Sequence, residues 1–244
     1  MRTEIFVQAR MGSTRLPGKV LKPVLGKPLL GYLLERLKDV KEVDEIVILS
    51  TTNSQDDVIE AYCQQLDIFC FRGSENDVLD RYYQAALIRK VDVVVRITAD
   101  CPLIDPDIID QVVGLFKKEI FQYDYISNSF ERTFPRGLDV EAFTFESLQT
   151  AFKMATSLIQ KEHVTPFIYQ NPDLFKLKNI AHDPSLHLYR WTVDTLEDFE
   201  LIKLILENLY PPCPKFRLND ILHLLSRNPE WNLINAHIKQ KTIY

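Results

Sequence analysis

Three basic side chains and two glycines crowd the segment Gln8-Ala9-Arg10-Met11-Gly12-Ser13-Thr14-Arg15-Leu16-Pro17-Gly18-Lys19, directly after the apolar run Ile5-Phe6-Val7. Arg10, Arg15 and Lys19 supply cationic donors, while Gly12 and Gly18 let the backbone fold closely and turn its N–H groups toward one ligand. A triphosphate or pyrophosphate suits that combination, and a nucleotide is the natural carrier of one. The segment is not a Walker A loop. That motif needs four residues between its first glycine and its Gly-Lys pair and then Ser or Thr; here Gly12 and Gly18 enclose Ser13 to Pro17, and Val20 follows Lys19. The competing reading is a surface turn whose charges are simply solvated.

Acidic residues recur at places where a divalent cation would want them. Val93-Val94-Val95-Arg96-Ile97-Thr98-Ala99-Asp100 reads as a buried strand ending in an aspartate, and Arg190-Trp191-Thr192-Val193-Asp194 repeats that arrangement. A hard cation such as Mg²⁺ takes one or two carboxylates together with phosphate oxygens and water, so Asp100 and Asp194 are candidate metal ligands. Each alone reads equally as a turn or capping acid. Asp105-Pro106-Asp107 has the form of a DxD metal motif but is better explained as an N-cap followed by proline at the first helical position. Arg136, Asp139, Glu141, Glu162 and His163 are polar groups in apolar neighbourhoods, suited to gripping sugar hydroxyls and a carboxylate or phosphate. His163 alone reads as a hydrogen-bonded helix histidine, Cys101 as a small buried side chain, and no nucleophile and base occur in an order that implies covalent catalysis.

These groups need a scaffold, and the chain supplies an alternating one. Short apolar runs at Glu4–Gln8, Glu45–Ser50, Ile68–Phe71 and Val91–Ile97 are separated by amphipathic segments at Leu29–Leu37, Gln55–Leu66 and Asp77–Arg89. This rhythm predicts an α/β fold, a mainly parallel sheet flanked by helices, with ligands bound outside the carboxyl ends of the strands where the Arg10–Lys19 loop emerges. Beyond Phe121 the pattern predicts strands and loops closing over the site, a helix from Thr144 to Met154, another over Lys161–Gln170, a strand over His187–Val193, and a helix from Thr195. Pro211-Pro212-Cys213-Pro214 divides a body of residues 1–210 from a helical extension of residues 211–244, expected to pack on that body.

With 244 residues, 46% of them hydrophobic, the chain can bury a sizeable core. Its net charge of -5 argues against general nucleic-acid binding, which needs a basic face. No apolar run approaches a membrane span, and Cys63, Cys70, Cys101 and Cys213 have no metal-ligand spacing. With no leader-like opening, a reducing cytoplasm is the expected setting.

Taken with Gly26-Lys27-Pro28, Phe71-Arg72-Gly73-Ser74, Asp77-Val78-Leu79-Asp80-Arg81-Tyr82, Asp100-Cys101-Pro102-Leu103, Pro135-Arg136-Gly137-Leu138-Asp139-Val140-Glu141, Glu162-His163-Val164-Thr165-Pro166 and Arg190-Trp191-Thr192-Val193-Asp194, the first loop completes an ordered series. The chain resembles the spore coat polysaccharide biosynthesis protein F family, which is similar to the CMP-Kdo synthetases and acylneuraminate cytidylyltransferases. The resemblance implies a nucleotide-diphospho-sugar transferase (Rossmann-like) fold and attack of a sugar oxygen on the α-phosphate of CTP, with pyrophosphate leaving. It implies that Ala9, Arg10, Gly12, Ser13, Arg15 and Lys19 hold the triphosphate, that Ser74 and Arg81 lie near the base or ribose, and that Asp100 and Asp194 bind Mg²⁺. Arg10, Lys19 and Asp100 would be catalytic, and Arg190 would join the sugar-binding set. A homodimer is expected too, with residues 121–140 as a contact region. Thr98-Ala99-Asp100-Cys101-Pro102 stands where Kdo synthetases read Gln-Gly-Asp-Glu-Pro, which points to another acidic sugar or a sugar phosphate. A glycosyltransferase of the same fold is the alternative, although a diphosphate donor has little use for three basic residues in one loop.

Overall fold

The structure, a computed structural model, describes residues 1–240. From the N-terminus, β1 (Thr3–Gln8) leads through a short helical turn at Lys19–Leu21 and a small hairpin, β2 (Pro23–Val24) and β3 (Lys27–Pro28), into α1 (Leu29–Leu37). Then follow β4 (Glu45–Thr51), α2 (Asp57–Gln65), β5 (Phe69–Gly73), α3 (Val78–Arg89), β6 (Val93–Thr98) and α4 (Pro106–Lys118). The second half comprises β7 (Tyr125–Ser127), β8 (Glu141–Thr144), α5 (Phe145–Met154), α6 (Leu158–His163), α7 (Pro166–Tyr169), β9 (Leu177–Asn179), α8 (Leu196–Leu209) and α9 (Leu218–Arg227).

The main sheet runs β5-β4-β1-β6-β8-β7-β9. Its first four strands are parallel, β8 is antiparallel to both β6 and β7, and β9 is parallel to β7. The parallel half is built from continuous apolar runs because helices cover both faces. Ile5 and Val7 of β1 join one buried cluster with residues of α1, α2, α4, α8 and α9, and Phe6 joins the other with α3, α5 and α7. Each fully buried Val, Ile or Leu contributes about 1.5–3 kcal/mol, so β1, β4 and β6 form the part of the molecule hardest to open. The loops that leave their carboxyl ends therefore hang from the most rigid region.

Local capping sets several boundaries as the sequence predicts. Thr144, Asp77 and Thr195 each accept a hydrogen bond from the backbone N–H three residues on, starting α5, α3 and α8. Asp105 caps α4 with Pro106 in the first position, its carboxylate also accepting the N–H of Leu218 at 2.7 Å, so this acid is structural.

Three expectations change. The segment His187–Val193 is not a strand: His187 and Leu188 lie in a turn, and the remainder makes a single bridge, Arg136 with Arg190. Its backbone groups serve two different loops, Trp191 N–H bonding Arg136 and Val193 N–H bonding Asp100, so no second consecutive rung forms. The helix expected over Lys161–Gln170 is two short ones, broken at Val164 with φ of 70°; Pro166 cannot donate into a continuous helix and starts α7 instead. In the tail, α9 and a helical turn at Pro229–Leu233 give way to irregular chain, and residues 241–244 lie outside the described region. Phe216, Leu218, Ile221 and Leu225 of this extension are buried in the same cluster as α1 and α4.

Candidate active site

The Arg10–Lys19 loop is pinned at both ends. Ala9 N–H donates to Leu49 at 3.0 Å, and Met11 N–H donates to Asp56, a fully buried carboxylate also bound by the Thr51 hydroxyl. Ser13 and Gly18 N–H groups both reach the Met11 carbonyl, at 2.8 and 2.9 Å, and the closure places Gly18 in the left-handed region at φ of 68°. Leu16 and Val20 are buried in the core, which leaves Arg10 exposed and Arg15 part-exposed above the sheet edge.

The same edge carries the acids. Ala99 N–H continues the β1 pairing by donating to Gln8 at 3.1 Å, which places Asp100 just past β6. Val193 N–H donates to the Asp100 carbonyl at 2.8 Å, drawing Asp194 alongside. Lys19 Nζ bridges the pair, 2.7 Å from Asp100 Oδ2 and 2.8 Å from Asp194 Oδ1. Arg15 and Arg190 each hold Asp194 Oδ2, at 2.9 and 2.8 Å. Burial pushes the Asp194 carboxyl up, but Lys19, Arg15 and Arg190 outweigh it and hold it at about 2. Asp100 is lowered by the same competition between burial and Lys19, and Lys19 is raised because its two acids overcome its burial. Because the folded-state pKa of Asp194 is depressed, its contribution to stability is complete above its ordinary value near 4 and is lost as pH falls toward 2. We expect unfolding free energy to drop by about 2 kcal/mol more in the native protein than in Asp194→Asn across that window, read by urea titration at successive pH values.

On the nucleotide side, the Ser74 hydroxyl accepts the N–H of Asp77 at 3.0 Å at the start of α3. Arg81, 2% exposed, has Nε and Nη1 without a partner among the described residues. Burial lowers the pKa of this guanidinium, and the neighbouring Arg10 adds repulsion. A buried cation with unsatisfied donors is costly, which makes this position receptive to an acceptor from a ligand. Gly12 faces the Gln55 and Glu75 side chains: a Cβ there would lie 3.0 Å from Gln55 Nε2. Sequence reasoning missed Gln55 and Glu75, for neither stands in a pattern that marks it.

The remaining candidates fall into two groups. Asp139 is paired with Arg132, and Arg136 lies close by, its pKa lowered by burial and by Arg132 and Arg190. Gly137 beside it has φ of 104°, and a Cβ there would sit 2.6 Å from the Trp191 backbone, so only glycine lets this loop pack. Glu141 is buried within β8 and accepts from Arg96, the Tyr125 hydroxyl at 2.7 Å and the Thr165 hydroxyl at 2.6 Å. Arg96 is a third residue the sequence reading passed over, hidden in the apolar run of β6. Glu141→Gln is expected to destabilise the fold by about 3 kcal/mol, because it leaves the Arg96 guanidinium without its counter-ion; chemical denaturation measures it. His163 is half-buried near this pair, and burial lowers its pKa so that the imidazole is neutral at pH 7, whereas Glu162 is exposed. Arg190 has all three guanidinium nitrogens engaged by Asp194, Asp198 and Gln240. Cys101 is buried beside Thr98, and burial keeps its thiol protonated.

Comparisons with known proteins identify the family. A family model described as Cytidylyltransferase matches residues 5–222. The uncharacterized protein MJ1063 of Methanocaldococcus jannaschii is 39% identical over 97% of this chain and 96% of its own length. The spore coat polysaccharide biosynthesis protein SpsF of Bacillus subtilis is 34% identical over 92% of this chain and 94% of its own. A solved cytidylyltransferase from Leptospira borgpetersenii superposes with a TM-score of 0.90 at 36% identity, covering 100% of this chain and 99% of that one. The nucleotidyltransferase fold expected from the sequence is the fold observed, and no helix among the described residues is long and apolar enough to cross a membrane. The chain belongs to the cytidylyltransferase family and is a cytidylyltransferase-like nucleotidyltransferase.

Proposed function

We propose that this protein transfers the cytidylyl group of CTP, with Mg²⁺, to an oxygen of an acidic sugar or sugar phosphate, activating it for a surface polysaccharide or glycan. The observation that carries the reading is the meeting of Lys19 with Asp100 and Asp194 at the carboxyl edge of the parallel strands, directly under a loop bearing Arg10 and Arg15. Two converging carboxylates suit Mg²⁺, which completes its shell with phosphate oxygens and water, and burial keeps the adjacent Cys101 thiol protonated. Asp100 and Asp194 would hold it, and its positive charge would offset that of the triphosphate oxygens.

The chain's own groups account for the rest. Arg10, Arg15, Lys19 and the Ala9, Gly12 and Ser13 segment position the triphosphate, with Lys19 stabilising charge on the departing pyrophosphate. Arg81 and Ser74 take the base or ribose. A sugar oxygen bonds to the α-phosphorus as the bond to the bridging pyrophosphate oxygen breaks, and where that oxygen is a hydroxyl its proton passes to solvent. Arg136, beside Asp139, gives the acid of the sugar a cationic partner, while Glu162 and His163, in the second group with Glu141, and Arg190 complete the sugar set. A homodimer fits the exposed Phe121 and Phe130 in the contact region of residues 121–140; light scattering that finds only monomer removes that element.

Pyrophosphate release tests the whole reading, with CTP, ATP, UTP and GTP offered against ulosonic acids and sugar phosphates in the presence of Mg²⁺. Release that needs both CTP and a sugar is the expected result. Consumption of a nucleotide sugar with no pyrophosphate release would replace it with the glycosyltransferase reading.

A further inference from the structure

We propose that Asn235 and Gln240, in the irregular chain after the last helical turn, are positioning residues for Asp194 and act on it through Arg190 and Asp198. The proposal rests on the reading of Asp194 as a cation ligand. Asn235 is 3% exposed, and its Nδ2 donates to the Arg190 carbonyl at 2.9 Å and to Asp198 Oδ1 at 2.8 Å. The same Asp198 oxygen accepts Arg190 Nε at 2.8 Å. The other, Oδ2, accepts Arg190 Nη2 at 3.0 Å and the backbone N–H groups of Asp194 and Thr195 at 3.0 and 3.1 Å. Gln240 closes the fork by accepting Arg190 Nη1 at 2.6 Å.

The geometry gives these contacts a direction. A planar guanidinium held at Nε and Nη1 has no rotational freedom left, so Nη2 stays 2.8 Å from Asp194 Oδ2. With Oδ2 taken by Arg190 and Arg15, Oδ1 is the oxygen that faces Lys19 and Asp100. The tail thus decides which oxygen of Asp194 is presented and fixes the backbone on both sides of it. Asp198 is fully buried, and the Asn235 bond to its Oδ1 is the one it would lose if the tail moved away, which couples the latch to the body of the protein. Arg190 is the direct partner of the proposed ligand Asp194, the kind of residue whose loss changes metal affinity by about 10–100-fold, and residues that steady it are expected at the lower end of that range.

Two measurements on the full-length protein test this. The first is amide hydrogen exchange at Asp194 and Thr195, which reads the latch without any ligand. The second is the Mg²⁺ concentration giving half-maximal thermal stabilisation in the presence of CTP. In Asn235→Ala both amides are expected to exchange about tenfold faster, and the Mg²⁺ midpoint to rise about tenfold. Gln240→Ala, at an exposed position, should move both readouts in the same direction with an unchanged unfolding midpoint, and it carries the test if Asn235→Ala does not fold. Unchanged exchange in the variants, or a Mg²⁺ midpoint equal to that of the responding native protein, overturns the proposal. No Mg²⁺ response in the native protein overturns instead the reading of Asp194 on which the proposal rests, a failure that the native protein alone reports.

Discussion

Replacing Asp100 with asparagine is expected to lower CTP-dependent pyrophosphate release by about 10³-fold or more, a loss near 4 kcal/mol in transition-state stabilisation. The substitution keeps the shape of the side chain and the carbonyl that pairs with Val193, so the chain on both sides stays in place. It removes one of two charges that meet at Lys19. An amide is a poor ligand for a hard divalent cation next to a single remaining carboxylate, and the cation is what would offset the triphosphate charge where the bond breaks. The unfolding midpoint is expected to stay close to that of the native protein, because Lys19 retains Asp194. Initial rates at saturating CTP, with a thermal melt alongside, decide it. Activity within tenfold of the native protein would remove Asp100 from the reacting centre.

Lys19→Met is expected to act on both rate and stability. For the reaction, the loss of a preorganised cation against the leaving pyrophosphate costs about 10²–10³-fold. For the fold, the consequence follows from the two acids that Lys19 bridges, with its own side chain only 11% exposed. Without the ammonium, two carboxylates face one another at the sheet edge, and breaking a buried pair of this kind destabilises by about 3 kcal/mol at neutral pH. The deficit should shrink on acidification, because protonating either acid relieves the repulsion that methionine leaves. It should shrink equally on addition of Mg²⁺, which takes the place of the lost charge. Lys19→Met is thus expected to gain more thermal stability from Mg²⁺ alone than the native protein does, in which the ammonium competes for the same oxygens. Equal gains in the two proteins would show that Lys19 and the cation do not share a site.

The parts of this architecture that the sequence carried are those governed by near neighbours. Thr144, Asp77, Thr195 and Asp105 cap helices because a short polar side chain reaches its own backbone two or three residues on, an interaction that leaves its mark in local order. Val93-Val94-Val95 reads as a doubly covered strand because both of its faces are buried. The Arg10–Lys19 loop stood out through its crowding of basic residues and glycines alone. The run at His187–Val193 misled because its pattern does not say which partner takes the hydrogen bonds; His187 and Leu188 turn, and two separate loops take the bonds of Trp191 and Val193. Glu141 reads in the sequence as a polar group suited to a sugar, and its partner Arg96 goes unseen because it lies in a strand read for its apolar residues.

By itself the sequence therefore determined most of the element types and the parallel half of the sheet, and it singled out the basic loop and the two acids that the fold brings together. Only the tertiary structure decided that Lys19 stands between Asp100 and Asp194, 81 and 175 residues away, and that Asn235 steadies Asp194 from the far end of the chain. The division has a physical cause. Caps and strands are set by interactions within a few residues, whereas the charge state and orientation of a buried acid depend on which distant groups the packed core brings within hydrogen-bond reach.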